Sequence, residues 1–304
     1  MEEKPAIQPV NNAVFTDNYC ALEEEYSNFK KSKVVIMQVP YEKTVTYKKG
    51  TKFGPAAAIE ASKKMELFDD ELNQETYKVG IHTMERLDVE NLSPENMVEK
   101  VKLSTAELLK SNKFPVILGG EHSITVGAIR AFKEAYPDIS VLQLDAHYDL
   151  RNEYYGSKLN HGCVARRISE ICPLVQAGVR SMSKEEKDFL NTPAGSKVKT
   201  VSVYDILEMP LWKDTVINSL TEHVYVTVDL DVFDPSLVPG VGTPEPGGLG
   251  WYEALDLLKE LSRDRKIVGF DIMELCPVKD MPASDFFASK LIYRMLGYVF
   301  PIKK

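Results

Sequence analysis

An apolar run, Ile139-Ser140-Val141-Leu142-Gln143-Leu144, passes without a break into Asp145-Ala146-His147-Tyr148-Asp149. The run reads as a buried strand, and its end as Asp-x-His-x-Asp. Alternate residues of an extended chain point to the same side. Continued extension therefore brings Asp145, His147 and Asp149 together at a strand's carboxyl end, where open α/β sheets place their sites. Two carboxylates and an imidazole aimed at one point have the chemistry of metal ligands. A fold that accepts this stretch must bury the strand and keep its end accessible.

Two further segments repeat the pattern. Val224-Tyr225-Val226-Thr227-Val228, β-branched and aromatic, feeds Asp229-Leu230-Asp231. Four carboxylates gathered at one place raise one another's pKa values unless a cation sits among them. An oxygen-rich set with two or three imidazoles and no thiolate favours Mn2+ or Mg2+ over structural zinc. Phe114 to Leu118 is a short apolar strand followed by Gly119-Gly120-Glu121-His122-Ser123, whose glycines permit a sharp turn that presents His122 at the same edge. Taken singly, each of these residues is more simply a helix cap or a hydrogen-bonded core group. Their coincidence points to a site: of five histidines, His122, His147 and His161 lie in or beside these segments, whereas His82 and His223 lie outside them and read as structural.

Strands expected at Val34 to Pro40 and from Phe114, Ile139, Leu174, Val198, Val224 and Ile267 alternate with helical segments. The helices are Ala56 to about Met65, a segment beginning at Pro94 behind a Ser93 cap, Ile124 to Ala135, Tyr252 to Ser262 and Asp285 to Leu296. This alternation predicts an α/β fold with a parallel sheet covered on both faces, a three-layer α/β/α arrangement. A single domain over residues 1–304 is expected, because early, middle and late segments supply the candidate ligands, with residues 1–30 forming a surface arm or irregular helix. A net charge of −8 argues against a nucleic-acid partner and suits a cationic substrate. No stretch has the length of apolar sequence that a membrane span needs, and Met1-Glu2-Glu3-Lys4-Pro5 lacks a signal-peptide pattern, so no membrane partner and a cytoplasmic location are expected. Cys20, Cys163, Cys172 and Cys276 have no metal-type spacing and read as free thiols, with Cys163 two residues beyond His161.

The chain resembles the ureohydrolases, the binuclear manganese enzymes that include arginases and agmatinases. The motifs are Gly119-Gly120-Glu121-His122-Ser123, Asp145-Ala146-His147-Tyr148-Asp149, Asn160-His161-Gly162, Asp229-Leu230-Asp231-Val232-Phe233-Asp234-Pro235, Gly242-Thr243-Pro244-Glu245-Pro246-Gly247-Gly248 and Asp271-Ile272-Met273-Glu274. They occur in the family's order and span most of the chain. The resemblance implies an arginase-like fold and two Mn2+ per chain, one held by His122 and Asp149, the other by His147 and Asp231, with Asp145 and Asp229 bridging. Two divalent ions about 3.5–4 Å apart can make hydroxide available near neutrality. Asp149 would also orient that nucleophile, Glu274 would pair with a planar guanidinium, and His161 would shuttle protons. Asp234 reads as a turn-forming carboxylate and Glu121 as a supporting or surface group.

Arginases typically have an Asn at the position of Arg151, where it helps read the substrate's α-carboxylate. The segment from Asp149 to Gly156 looks more like agmatinases, so the resemblance implies hydrolysis of agmatine to putrescine and urea. Glu153 would then receive the distal ammonium, and Arg151 is expected to face solvent or pair with an acid. Arginase, guanidinobutyrase or a longer aminoalkyl guanidine are alternatives within the family, and a homo-oligomer, trimer or hexamer, is implied. A binding protein that has lost catalysis and a mononuclear zinc deacylase are readings from other classes, both disfavoured because no expected ligand is substituted.

Overall fold

Eight strands form one sheet in the computed structural model, which describes residues 18–302. They are β1 (Val34–Val39), β2 (Ile81–Thr83), β3 (Phe114–Gly119), β4 (Ser140–Leu144), β5 (Leu174–Val179), β6 (Lys199–Ser202), β7 (His223–Asp229) and β8 (Lys266–Met273). Every pairing is parallel, in the order β2-β1-β3-β8-β7-β4-β5-β6. The sheet is parallel because helices, not hairpin turns, return the chain between most successive strands, and such strands are buried on both faces. Alternate residues of β1 enter two separate cores: Val34 and Ile36 one, Val35, Met37 and Val39 the other. Helices Gly54–Ser62, Trp251–Asp264 and Ala283–Val299 supply the first core, and Pro94–Lys110, Thr125–Ala135 and Val164–Ser169 the second. This is the three-layer arrangement the alternation predicts.

Local signals set the helix ends. Ser93 accepts a hydrogen bond from the Asn96 amide ahead of Pro94 and Glu95, and Pro55 occupies the first turn of Gly54–Ser62. Residues 1–17 of the expected arm lie outside the described residues. The remainder is not on the surface throughout: Tyr19 is fully buried, donating its hydroxyl to the Ser289 carbonyl at 2.7 Å while its amide donates to Thr83 Oγ1 at 2.9 Å. Among the described residues no helix is long and apolar enough to cross a membrane.

The strand order has one consequence for chemistry. Strands β3, β8, β7 and β4 are neighbours at the centre of the sheet. Being parallel, they bring the segments that follow them, residues 120–122, 274, 229–231 and 145–149, to the same edge.

Candidate metal centre

The turn after β3 is compressed. A Cβ on Gly120 would come within 2.1 Å of the Tyr41 carbonyl oxygen, so only glycine lets the loop after β1 approach closely enough to place His122 over the sheet. After β4 the expected extension does not persist. Asp145 Oδ1 accepts the His147 amide at 2.6 Å, an aspartate-centred turn, and Asp149 has a left-handed backbone (φ 51°). After β7, Asp229 Oδ1 likewise accepts the Asp231 amide at 3.0 Å. The candidate ligands after β4 and β7 therefore converge through two similar tight turns, and not by strand alternation.

His122 Nδ1 lies 3.1 Å from Asp145 Oδ2, 3.2 Å from Asp229 Oδ2 and 3.8 Å from Asp149 Oδ2. His147 Nδ1 lies 2.9 Å from Asp231 Oδ2 and 3.7 Å from Asp145 Oδ1. Two groups, His122-Asp145-Asp149 and Asp145-His147-Asp231, each gather their donor atoms within 4.8 Å, with Asp145 common to both. Asp229 stands against His122 beside the first group.

The residues fit a cation. Asp145, Asp229 and Asp231 are buried, and His122 Nδ1 is a buried atom with no hydrogen-bond partner, facing carboxylates. Its other nitrogen, Nε2, lies 2.8 Å from Thr227 Oγ1, whose hydroxyl donates to Asp271 Oδ1 at 2.5 Å. Thr125 and Tyr225 hydroxyls also donate to the Asp271 carboxylate. With its proton committed to Asp271, Thr227 accepts from His122 Nε2–H, which leaves the Nδ1 lone pair directed at the cluster. Without an ion the charges are frustrated. Burial, then the charge of Asp145, pushes the Asp149 carboxyl well above its usual range, and burial with Asp231 and Asp145 does the same to Asp229. Burial alone would lower the His122 imidazole, but Asp145 and Asp229 pull it well up. A cation among these groups lets the carboxylates stay ionised.

Above the cluster is a cavity of about 200 Å³ whose lining includes Thr46, Arg151, Tyr154, His161, Thr243 and Glu274. Glu274 is buried in a left-handed conformation (φ 63°), and its Oε1 accepts the His122 amide at 2.7 Å. His161 Nδ1 is 4.0 Å from that same oxygen, and burial pushes its imidazole down to about 4. Glu153, expected to receive a distal ammonium, is exposed and is not among the residues lining the cavity. Arg151 is also placed otherwise than expected: its guanidinium packs 4.5 Å over the Tyr154 ring and lines the cavity.

Asp234 caps a turn by accepting the Ser236 amide, His82 is buried with Nδ1 2.9 Å from the Ser27 carbonyl, and His223 pairs with Asp138. All four cysteines are free and buried; burial pushes the Cys163 thiol up to about 12. Sequence reasoning gave no role to Thr227 or Arg180, quoted Asp271 only as part of a motif, and left open whether Glu121 is buried; it is buried. The signal for Asp271 was a lone carboxylate inside an apolar strand, which needs donors.

A model described as the arginase family matches residues 32–297. The chain is 38% identical over 286 residues to an N(1)-aminopropylagmatine ureohydrolase of Synechocystis sp., covering 90% of this chain and 92% of that protein. It is 35% identical to an agmatinase of Pyrococcus horikoshii, covering 89% and 93% respectively. The solved structure of agmatine ureohydrolase of Thermoplasma volcanium superposes with a TM-score of 0.84 at 30% identity, covering 93% of this chain and 94% of that one.

Proposed function

The chain belongs to the arginase family, and from that premise we propose that it is a two-manganese ureohydrolase releasing urea from an aminoalkyl guanidine. The observation that carries the reading is the pair of ligand groups joined at Asp145 beneath a pocket holding both Glu274 and His161. In this reading His122 and Asp149 would hold one ion and His147 and Asp231 the other, with Asp145 and Asp229 as the carboxylates they would share. Manganese at this site supplies hydroxide near neutral pH when bound.

The chain's own residues do the rest. Glu274 has one oxygen committed to the His122 amide, and its second oxygen is available to the guanidinium, orienting the planar cation over the cluster. Hydrolysis breaks the bond between the guanidinium carbon and the alkylated nitrogen, adds the elements of water, and gives urea and an amine. The leaving nitrogen needs a proton. In this reading His161, beside Glu274 and inside the cavity, relays that proton: burial keeps its imidazole neutral near neutral pH, so it passes a proton on and does not store one.

The names of the more similar relatives favour N(1)-aminopropylagmatine as the substrate, with agmatine the second reading. The test is urea release with manganese supplied, over N(1)-aminopropylagmatine, agmatine, arginine and guanidinobutyrate. Arg151 at the cavity makes the two carboxylate-bearing compounds the necessary controls, since its charge is positioned where a carboxylate would find it. The highest kcat/KM on a decarboxylated guanidine is expected. Preference for arginine or guanidinobutyrate would overturn the substrate assignment, and no urea from any of them would overturn the enzymatic reading. We further propose a homo-oligomeric, cytoplasmic protein, for which sedimentation and fractionation are the checks.

A further inference from the structure

Glu121 is a buried carboxylate with all its acceptor capacity in use. Oε2 accepts the amides of Lys43 and Thr44 at 2.5 and 2.6 Å, while Oε1 accepts the hydroxyls of Thr44 and Ser123 at 2.7 and 2.5 Å. An ionised carboxylate offers about four lone-pair sites, so this one is saturated from a loop and its own turn. The loop is the irregular segment after β1, tied down a second time where the Glu121 amide donates to the Tyr41 carbonyl at 2.9 Å. Two threonines of that loop then reach His161. Thr44 Oγ1, its proton given to Glu121, accepts the His161 amide at 3.0 Å, and Thr46 Oγ1 lies 3.4 Å from His161 Nε2.

We propose that Glu121 is a positioning residue for His161, acting through Thr44 and the loop that carries Thr46. This rests on the reading of His161 as the proton-delivering group. His161 begins a short helical turn on the loop between β4 and β5, with no strand of its own to fix it. The Glu121 carboxylate fixes the direction of the Thr44 hydroxyl, because that hydroxyl has one proton and gives it to Oε1. Its lone pairs are thereby turned toward the His161 amide. Glutamine at 121 would keep the shape but replace one acceptor oxygen with a donor: its N–H would either oppose the Lys43 and Thr44 amides or donate to the Thr44 and Ser123 hydroxyls, and in the second case the Thr44 hydroxyl is no longer held with its lone pairs toward the His161 amide. The imidazole would then lose its fixed position between Thr46 and Glu274.

Glu121→Gln and, because that buried variant is a risk to folding, Thr44→Val on the partly exposed loop are the test pair. Each should lower kcat by about 10–100-fold, the scale of displacing a proton-transfer group by about an ångström, with KM and manganese affinity near those of the parent. Thr44→Ser, which keeps the hydroxyl, should restore most of the rate. In a His161→Ala background neither variant should cost more than a further factor of about two, since a positioning residue has nothing left to position. Independently of turnover, the His161 ring signals in histidine-labelled protein without added manganese should shift or broaden in both variants. Full additivity with His161→Ala, loss of manganese with kcat, or unmoved His161 signals would overturn the proposal. A parent enzyme inactive on every guanidine, with those signals still shifting, would instead overturn the functional reading and leave the positioning intact.

Discussion

Thr227 Oγ1 lies 2.8 Å from Nε2 of His122. Because Thr227 passes its own proton to Asp271, the contact fixes which imidazole nitrogen carries hydrogen and therefore which one is free for an ion. Thr227→Val keeps a β-branched side chain in the middle of β7 but removes this acceptor. We expect about 10–100-fold weaker manganese binding in a chelator competition, with the circular dichroism of the fold retained. Parent-like affinity would mean that the contact does not orient the ligand.

Asp145 is common to both candidate ligand groups, whereas Asp229 stands 3.2 Å from His122 Nδ1 and outside the His147 group. Asp145→Asn is therefore expected to lose both ions and essentially all turnover. Asp229→Asn is expected to abolish turnover as well if it bridges, and its manganese stoichiometry decides the point: loss of a single ion while the other stays tight would confine Asp229 to the His122 side.

Proton linkage gives a third expectation. In the ion-free fold Asp149 and Asp229 hold protons at higher pH than ordinary carboxyls, for reasons of burial first and neighbouring carboxylates second, and Asp145 and Asp229 raise His122. Burial would raise Asp145 too, but His122 and His147 keep it below its usual range. Groups raised in the folded state bind more protons than in the unfolded chain, so their contribution to stability is lost as pH rises, from above the ordinary carboxyl range for Asp149 and Asp229 and from above the ordinary imidazole value for His122. A metal ion bound at this cluster must displace those protons. The manganese-induced rise in Tm should therefore grow from mildly acidic to mildly alkaline buffer, and calorimetry in buffers of different ionisation enthalpy should show protons released on binding. A Tm increment independent of pH would contradict the charge distribution of the site.

The candidate ligands that the structure gathers were legible because they follow apolar runs, and a carboxylate or imidazole at the end of a buried strand announces itself. What supports them was not. Thr227 and Asp271 are register partners on β7 and β8, a pairing between distant residues that no periodicity within either segment reveals. The three-residue strand Ile81–Thr83 is too short for alternation to register. The capping boxes at Ser183 and Ser202 were readable as Ser-x-x-Glu and Ser-x-x-Asp, and the helices behind them were missed by reading only longer patterns. Whether Glu153 faces the cavity was not legible for a different reason: the loop that carries it goes on through left-handed backbone at Tyr155, and the direction of such a loop is decided by its tertiary contacts.

The last expectation concerns Arg180, whose guanidinium donates to a set of backbone carbonyls around the His147 side of the site. Nη2 reaches the carbonyls of Asp231 and Glu245 at 2.8 and 2.9 Å, Nη1 those of Gly178 and Val232, and Nε that of Pro246. It thereby clamps the turn bearing Asp231 to the loop bearing Glu245, whose Oε1 is 3.6 Å from His147 Nε2. A lysine keeps the charge but not the planar fork, so it can satisfy only part of this set. Arg180→Lys should lower Tm and weaken the ion of the His147-Asp231 group while leaving that of the His122-Asp149 group bound, so that titration at limiting manganese resolves two steps where the parent shows closely spaced ones. Arg180→Met, lacking both fork and charge, should do the same more severely. If both ions weakened equally in the lysine variant, the clamp would act on the fold as a whole and not on the Asp231 turn.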